Sequence, residues 1–281
     1  MKKSILLIYI IVLFCLLTAC SEGGGSSTAF VIAGSTSVQP YVEKLVEEYV
    51  TVNPEELIDV QGGGSSAGIQ AVESNTAQIG MSSRNLRDAE KGLWSIEIAK
   101  DALAIIINPN NPLVTTENPD ISLSLEQIRR IYTAEYNNWS QLGGPDARIH
   151  VITREEGSGT RSAFEELVMD DKRITPGAIV QDSNGSVRQL VSGDPFSIGF
   201  ISLGLVNIGE RPVKAVSIDN VTANKQNVED GFYTLYRSFL FVSLERPTGN
   251  VMRFIEFIRS PEGHRIMSEE GLIPEFTIFS D

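Results

Sequence analysis

The stretch Arg154-Glu155-Glu156-Gly157-Ser158-Gly159-Thr160-Arg161 lies between a β-like apolar run, Ile149 to Thr153, and a helical pattern that begins near Ser162. Its two glycines let the backbone turn sharply and come close to a ligand, while Ser158 and Thr160 supply hydroxyls. In the first turn of the following helix, peptide N–H groups have no intrahelical acceptor and carry the positive end of the helix dipole. Arg154 adds a planar fork of donors, and a tetrahedral oxyanion is the guest that such a place selects. Taken alone, the octet also reads as a capped helix after a glycine turn, with Arg154 in a salt bridge to Glu155 or Glu156.

Three other segments repeat the order of strand, small hydroxyl or glycine residues, then helix. They are Ala33-Gly34-Ser35-Thr36-Ser37, Gly62-Gly63-Gly64-Ser65-Ser66-Ala67-Gly68 and Ser183-Asn184-Gly185-Ser186. After the first, Pro40 stands near the helix start and Val42, Leu45, Val46 and Tyr49 recur at i, i+3, i+4, i+7. Ile69 and Val72 follow the second segment, and Phe164, Leu167 and Val168 follow the octet. These apolar sets are core faces, which leaves the helix N-termini free to aim at one shared cleft.

Strand patterns occur at Phe30 to Ala33, Leu57 to Gln61, Ala77 to Ser82, Asp101 to Asn108, Ile149 to Thr153, Ser197 to Ile201, Val213 to Ser217 and Ser238 to Val242. Helical patterns fill most of the gaps, including Ser124 to Tyr132 and Gly249 to Arg259. The alternation predicts an α/β fold with helices on both sheet faces. Pro109 to Pro112 breaks the chain after an apolar strand and is a candidate crossover. Composition marks no domain boundary.

At the N-terminus, Lys2 and Lys3 precede the apolar run Ile5 to Leu17, which is short for a membrane span and ends in Leu17-Thr18-Ala19-Cys20. This looks like a bacterial lipobox in which residues 1–19 are a signal peptide and Cys20 is lipidated. An ordinary cleaved signal peptide and a short membrane helix are the alternatives. Residues 20–28 then form a lipidated flexible tether. Two acyl chains suffice for stable anchoring, which predicts a lipid-anchored protein on the extracytoplasmic face of the cell membrane. Cys15 lies in the segment to be removed, so the mature domain has no disulfide and no thiolate metal site. The formal net charge is −13, becoming −15 once Lys2 and Lys3 leave. So acidic a surface argues against nucleic acid or anionic headgroups as partners, and it supplies no general funnel for an anion. Near a desolvated site, oriented N–H dipoles and one arginine outweigh that diffuse, screened charge.

The runs GSTSVQP near residue 34, GGGSSAGI near 62, IGMSSR at Ile79 to Arg84, DALAIIINPNNPL at 101, REEGSGTR at 154 and SIGFISLG at 197 resemble those of the PstS-type phosphate-binding lipoproteins. These are the solute receptors of phosphate ABC importers, and the resemblance covers nearly the whole mature chain in the expected order. It implies a two-lobed periplasmic-binding-protein fold of type II with two crossover strands forming the hinge. Residues 29–107 and 235–281 would make lobe 1, and residues 108–234 lobe 2, with the anion in the cleft as the lobes close. Carried over by position, the phosphate-binding residues are Thr36, Ser37, Ser65, Ser83, Arg154, Ser158, Gly159 and Thr160, with Glu156 as the acidic residue close to the arginine. Ser83 departs from the family pattern: well-known members have an aspartate there that accepts a hydrogen bond from protonated phosphate. A serine either donates or accepts, which opens the site to a fully ionised anion unless Glu156 supplies the acceptor. The resemblance further implies inorganic phosphate as ligand, an ABC permease with its ATPase as partner, no cofactor, no metal and a monomeric receptor.

Other readings follow from the same residues. A receptor for sulfate, molybdate or tungstate would need the same donors. Gly64 to Gly68 fits the G-x-S-x-G nucleophile elbow, and with His264 downstream it allows a serine hydrolase using Ser66 and His264. A phosphate-cradling G-x-x-x-x-G-K-[ST] motif and H-E-x-x-H are absent from the sequence. Tyr132, Tyr136 and Trp139 read as packing or, alternatively, as an aromatic platform. An adhesin or sensor scaffold is the third class, and it has no need of four small-residue loops converging on one point.

Overall fold

The computed structural model describes residues 29–275 apart from 118, 210 and 211, so the signal segment, Cys20 and the tether lie outside the described residues. The strands are β1 (Ala29–Gly34), β2 (Leu57–Gly62), β3 (Ile79–Ser82), β4 (Trp94–Ile107), β5 (Ser122–Leu123), β6 (His150–Arg154), β7 (Ile179–Gln181), β8 (Ser197–Ser202), β9 (Lys214–Ala215), β10 (Ser217–Ile218), β11 (Tyr236–Ser243) and β12 (Ile273–Pro274). The helices are α1 (Gln39–Val52), α2 (Ser65–Glu73), α3 (Leu125–Tyr132), α4 (Gly159–Phe164), α5 (Asn184–Gly193), α6 (Lys225–Glu229), α7 (Gly249–Ile258) and α8 (Pro261–Glu269). A π-helical turn, Glu165–Met169, extends α4.

Local chemistry sets these boundaries. Pro40 pre-organises the first turn of α1, whose buried stripe is Tyr41, Val42, Leu45 and Tyr49. Ser124 caps α3 by accepting from the Gln127 N–H, and the Gln127 side chain reaches back in a capping box. Ser183 caps α5 by accepting from the Ser186 N–H.

The main sheet runs β2-β1-β3-β11-β4-β8-β6-β7. Two parallel blocks, β2-β1-β3 and β8-β6-β7, are joined through antiparallel β11 and β4. Within β4, Trp94 to Ala102 lie against β11 and Leu103 to Ile107 lie against β8, so the chain crosses between the halves inside one strand. The returning chain runs beside it, with the Leu103 N–H donating to the Leu235 carbonyl at 2.8 Å and the Tyr233 hydroxyl donating to the Leu103 carbonyl at 2.8 Å. This is the two-lobed periplasmic-binding-protein architecture. The Pro109 to Pro112 segment is a turn beyond the crossing. Asn108 Nδ2 pins it to the Val191 and Ser192 carbonyls at 3.0 and 2.8 Å, and Asn111 Nδ2 pins it to the Pro195 carbonyl at 3.0 Å.

Alternate side chains of β4 enter two cores, because successive residues of a strand face opposite sides. Ala104 and Ile106 join Ile32, Leu45, Phe239 and Phe254 in one core. Leu103, Ile105 and Ile107 join Tyr132, Trp139, Phe164 and Phe200 in the other. The aromatic-platform reading fails for Tyr132 and Trp139, which are fully buried, while Tyr136 lies under the Arg130 guanidinium.

At the crossing, Arg237 of β11 donates through Nε and Nη2 to Asp101 Oδ2 of β4, at 3.1 and 2.9 Å. The Ser202 hydroxyl donates to Asp101 Oδ1 at 2.6 Å and meets the Tyr41 hydroxyl at 2.9 Å. Burial pushes the Asp101 carboxyl up and the Arg237 guanidinium down, and each partner opposes the shift of the other. Removing one member leaves a buried charge unpaired. Asp101→Ala is therefore expected to lose about 3–5 kcal/mol of stability in urea denaturation. Lys100→Ala, which breaks only the partly exposed pair with Glu275, should lose about 1 kcal/mol or less. Equal losses in the two variants would contradict this account of the crossing.

Candidate functional site

Each of the four small-residue loops ends a strand and starts a helix. β1 ends at Gly34 and turns through Ser35 to Val38 into α1, and β2 ends at Gly62 before Ser65 opens α2. Close packing sets the second loop. A Cβ at Gly68 would stand 2.5 Å from the Ala33 carbonyl oxygen and 2.7 Å from the Gly34 Cα, so only glycine lets α2 lie this close on β1. β6 ends at Arg154, and Ser158 caps α4 by accepting from the Arg161 N–H. β7 ends at Gln181 beside the start of α5.

The loops meet at a buried cluster of hydroxyls. Ser37 Oγ is 2.6 Å from Thr160 Oγ1 and accepts from Asn184 Nδ2 at 2.7 Å, which ties the first loop to the octet and to the fourth segment. Ser35 Oγ donates to Ser83 Oγ at 2.8 Å, and the Ser83 N–H donates to Ser65 Oγ at 3.0 Å. The Ser65 and Ser83 hydroxyls are 3.3 Å apart. Gly159 closes over them, and a Cβ there would be 2.2 Å from Ser65 Oγ and 2.6 Å from Ser83 Oγ. The N–H groups of Gly159 and Thr160, in the first turn of α4, have no intrahelical acceptor.

Arg154 is 1 % exposed. Its Nε and Nη2 donate to the two Glu155 carboxylate oxygens at 2.9 Å each. Nη2 also donates to the Asp182 carbonyl at 3.1 Å and to Thr36 Oγ1 at 3.2 Å. Nη1 is buried and has no partner among the described residues. The salt bridge and the ligand role are thus compatible, because two corners of the guanidinium are tied and the third is open.

Ser37, Ser65, Ser83, Ser158, Gly159 and Thr160 are all buried at this junction, and Thr36 is half-buried beside Arg154. Glu156 is different: its side chain is exposed, and the carboxylate on the arginine is that of Glu155. Glu155 continues directly from the end of β6 and stays in reach of Arg154, while Glu156 sits on the outside of the turn before Gly157. Ser35 and Asn184 belong to the cluster although the positional reading did not select them. Asn184 is 1 % exposed, and its place at the start of α5, directly after a serine cap, was the available signal.

Among the described residues, the partners of these hydroxyls are hydroxyls, amides and the arginine rather than a histidine or a carboxylate. Hydrogen-bond donation is the chemistry such a set can offer to an anion. Ser66 takes Arg84 Nη2 at 3.5 Å as its side-chain neighbour. His264 stands on α8, which packs on α1, α7 and β12, whereas α2 packs on β1, β3 and β11. Among the described residues there is also no cluster of three potential metal ligands.

A family model described as a PBP superfamily domain matches residues 21–262. The chain belongs to that superfamily. Relatives within it include phosphate-binding PstS proteins. The phosphate-binding protein PstS of Borreliella burgdorferi is 29% identical over 97% of this chain and 99% of its own length. PstS of Bacillus subtilis is 27% identical over 97% of this chain and 94% of its own. A phosphate ABC transporter substrate-binding protein from Clostridium perfringens, solved with bound phosphate, is 40% identical with a TM-score of 0.81, covering 88% of this chain and 100% of that one. An ABC-type phosphate transport receptor from Vibrio cholerae is 34% identical with a TM-score of 0.70, over 88% and 100% of the two chains.

The contact between Gly159 and the serine pair gives a direct stability test of this superfamily member. Gly159→Ala should lose about 1–3 kcal/mol in thermal unfolding, because the added carbon meets two buried hydroxyls. Gly92→Ala, whose Cβ would meet nothing within 4 Å, should change stability by about 0.5 kcal/mol or less. A tolerated Gly159→Ala would show that the octet and the serine pair are not pressed together.

Proposed function

We propose that this chain is an extracytoplasmic receptor that binds inorganic phosphate between its lobes and delivers it to an ABC permease. The observation that carries the reading is the buried, unpartnered Nη1 of Arg154 at the place where four helix-starting loops converge. The tetrahedral anion would take donors from Arg154 Nη1, from the Gly159 and Thr160 N–H groups and from the hydroxyls of Thr36, Ser37, Ser65, Ser83, Ser158 and Thr160. Hydrogen bonds to charged groups contribute roughly 1.5–3 kcal/mol each. Several of them exceed the ~8 kcal/mol of micromolar binding after the costs of association and closure. The names of the PstS relatives and the phosphate bound in the Clostridium perfringens structure support the same ligand.

Closure is the working step in this reading. In this reading residues 29–107 with the chain from 235 to 275 make one lobe and residues 108–234 the other, so Ser37 against Thr160 and Asn184, and Ser65 against Gly159, are contacts across the cleft. Anion binding favours the closed shape, and the permease recognises that shape. Lipidation of Cys20 holds the receptor at the cell membrane as a monomer beside its permease. The protein carries out no reaction: the Ser66 hydroxyl has an arginine rather than a histidine for its neighbour.

Ser83 favours a second oxyanion as an additional ligand. Its hydroxyl accepts from Ser35, and the cluster presents donors with no free carboxylate acceptor for a protonated phosphate oxygen. The hydrogen phosphate dianion, whose one remaining proton a serine oxygen can accept, and sulfate then both fit the site.

Calorimetric titration tests both statements. Wild type should bind phosphate at micromolar or tighter affinity, and Arg154→Ala should weaken it by about a hundredfold or more. Binding to wild type should tighten as pH rises through the second ionisation of phosphate, and sulfate should compete. Ser83→Asp should exclude sulfate by restoring an acceptor. An unchanged affinity in Arg154→Ala would remove the site from this account, and turnover of an ester lost in Ser66→Ala would replace it with the hydrolase.

A further inference from the structure

A cavity of about 330 Å³ adjoins the cluster without being part of it. Its walls include Arg84 and Asn85 after β3, Arg237 and Ser238 of β11, and Ala163 and Glu166 on α4 and its π turn. Arg237 repeats the arrangement of Arg154. Its Nε and Nη2 are tied to one carboxylate, that of Asp101, and Nη1 is buried with no partner among the described residues. Arg84 is tied through Nη1 and Nη2 to the Glu90 oxygens at 2.7 and 2.8 Å, and its Nε is likewise buried without a partner among the described residues. Arg84 is 4% exposed and Arg237 5%.

A buried charged donor without an acceptor is costly, and two at one cavity are completed together by a ligand with several acceptor oxygens. We infer that this cavity is a second, weaker site for a small oxyanion, held between Arg84 Nε and Arg237 Nη1. It is an antechamber to the first site, since Arg84 directly follows Ser83 and its Nη2 reaches Ser66 of the second loop. The antechamber role and the identity of the cargo as phosphate rest on the proposed function; the second site itself does not. Glu90 and Asp101 already neutralise the two guanidiniums, and the exposed Glu166 carboxylate faces the same space. Hydrogen bonds rather than net charge hold the anion here, so occupancy is brief. A desolvated waypoint of this kind serves an anion that must approach a chain of net charge −13.

Equilibrium dialysis of the full-length chain in non-ionic detergent with radiolabelled inorganic phosphate reads both sites. Wild type should show a tight equivalent and a second one in the ~millimolar range. Arg154→Ala should lose the first and keep the second. Arg84→Gln should weaken the second by about tenfold while leaving the first in place. Because Arg84→Gln also frees Glu90, the surface variant Glu166→Gln provides an independent arm, and it should tighten the second site by roughly threefold or more. A stoichiometry that stays at one equivalent through the ~millimolar range overturns the inference. So does a second equivalent that neither Arg84→Gln nor Glu166→Gln alters, which would be diffuse surface attachment. Absence of the tight equivalent in wild type would instead overturn the receptor reading, and the second site would still be read through the Arg84 and Glu166 variants.

Discussion

A guanidinium buried as deeply as that of Arg154 costs several kcal/mol unless its donors are met, and the site is organised around meeting them. Glu155, the next residue in the chain, takes two corners. The parallel pairing of β6 with β7 brings the Gln181 and Asp182 carbonyls alongside, and the first loop brings Thr36. One corner stays open. Under the proposed function, the anion supplies that last acceptor from solution, and ligand binding and completion of the buried charge become the same event.

The same constraint explains the junction of the halves. A chain that crosses twice between lobes leaves its crossing segments with polar backbone near the centre of the molecule. Pairing Leu103 with Leu235 and Asp101 with Arg237 satisfies that region internally. Through Ser202 and Tyr41, the buried pair also reaches α1, the helix behind the first ligand loop. Apolar packing crosses the junction as well, since Val187, Val191 and Ile201 share a core with Ile32 and Leu45. The halves are therefore coupled by both polar and apolar contacts, which suits a small rotation about short segments better than free swinging.

Much of this was legible in the sequence wherever the physical signal is local. Glycine and hydroxyl residues between a strand and a helix identified the loops, and helical spacing identified the buried faces of α1 and α2. Signals that depend on the third dimension were weaker. The half-exposed start of β4 at Trp94 alternates with polar residues, which hid the first part of the strand before Asp101. The stretch Val213 to Ser217 divides into β9 and β10, which pair with different strands, and no periodicity reveals that. Within the octet, residue type alone did not distinguish Glu155 from Glu156; the direction of the turn does. Ser35 and Asn184 carry no motif beyond being small and polar, and Asp101 and Arg237 are far apart in the chain, so only the folded structure brings them together.

The account turns on where the anion sits. A crystal structure of the chain grown with phosphate would answer that directly. A tetrahedral anion within hydrogen-bond distance of Arg154 Nη1 and of the Gly159 and Thr160 N–H groups, enclosed by the hydroxyls of Ser37 and Ser65, is the predicted result. Arg154 still without a partner at Nη1 in phosphate-saturated crystals, with the anion elsewhere or absent, would contradict it.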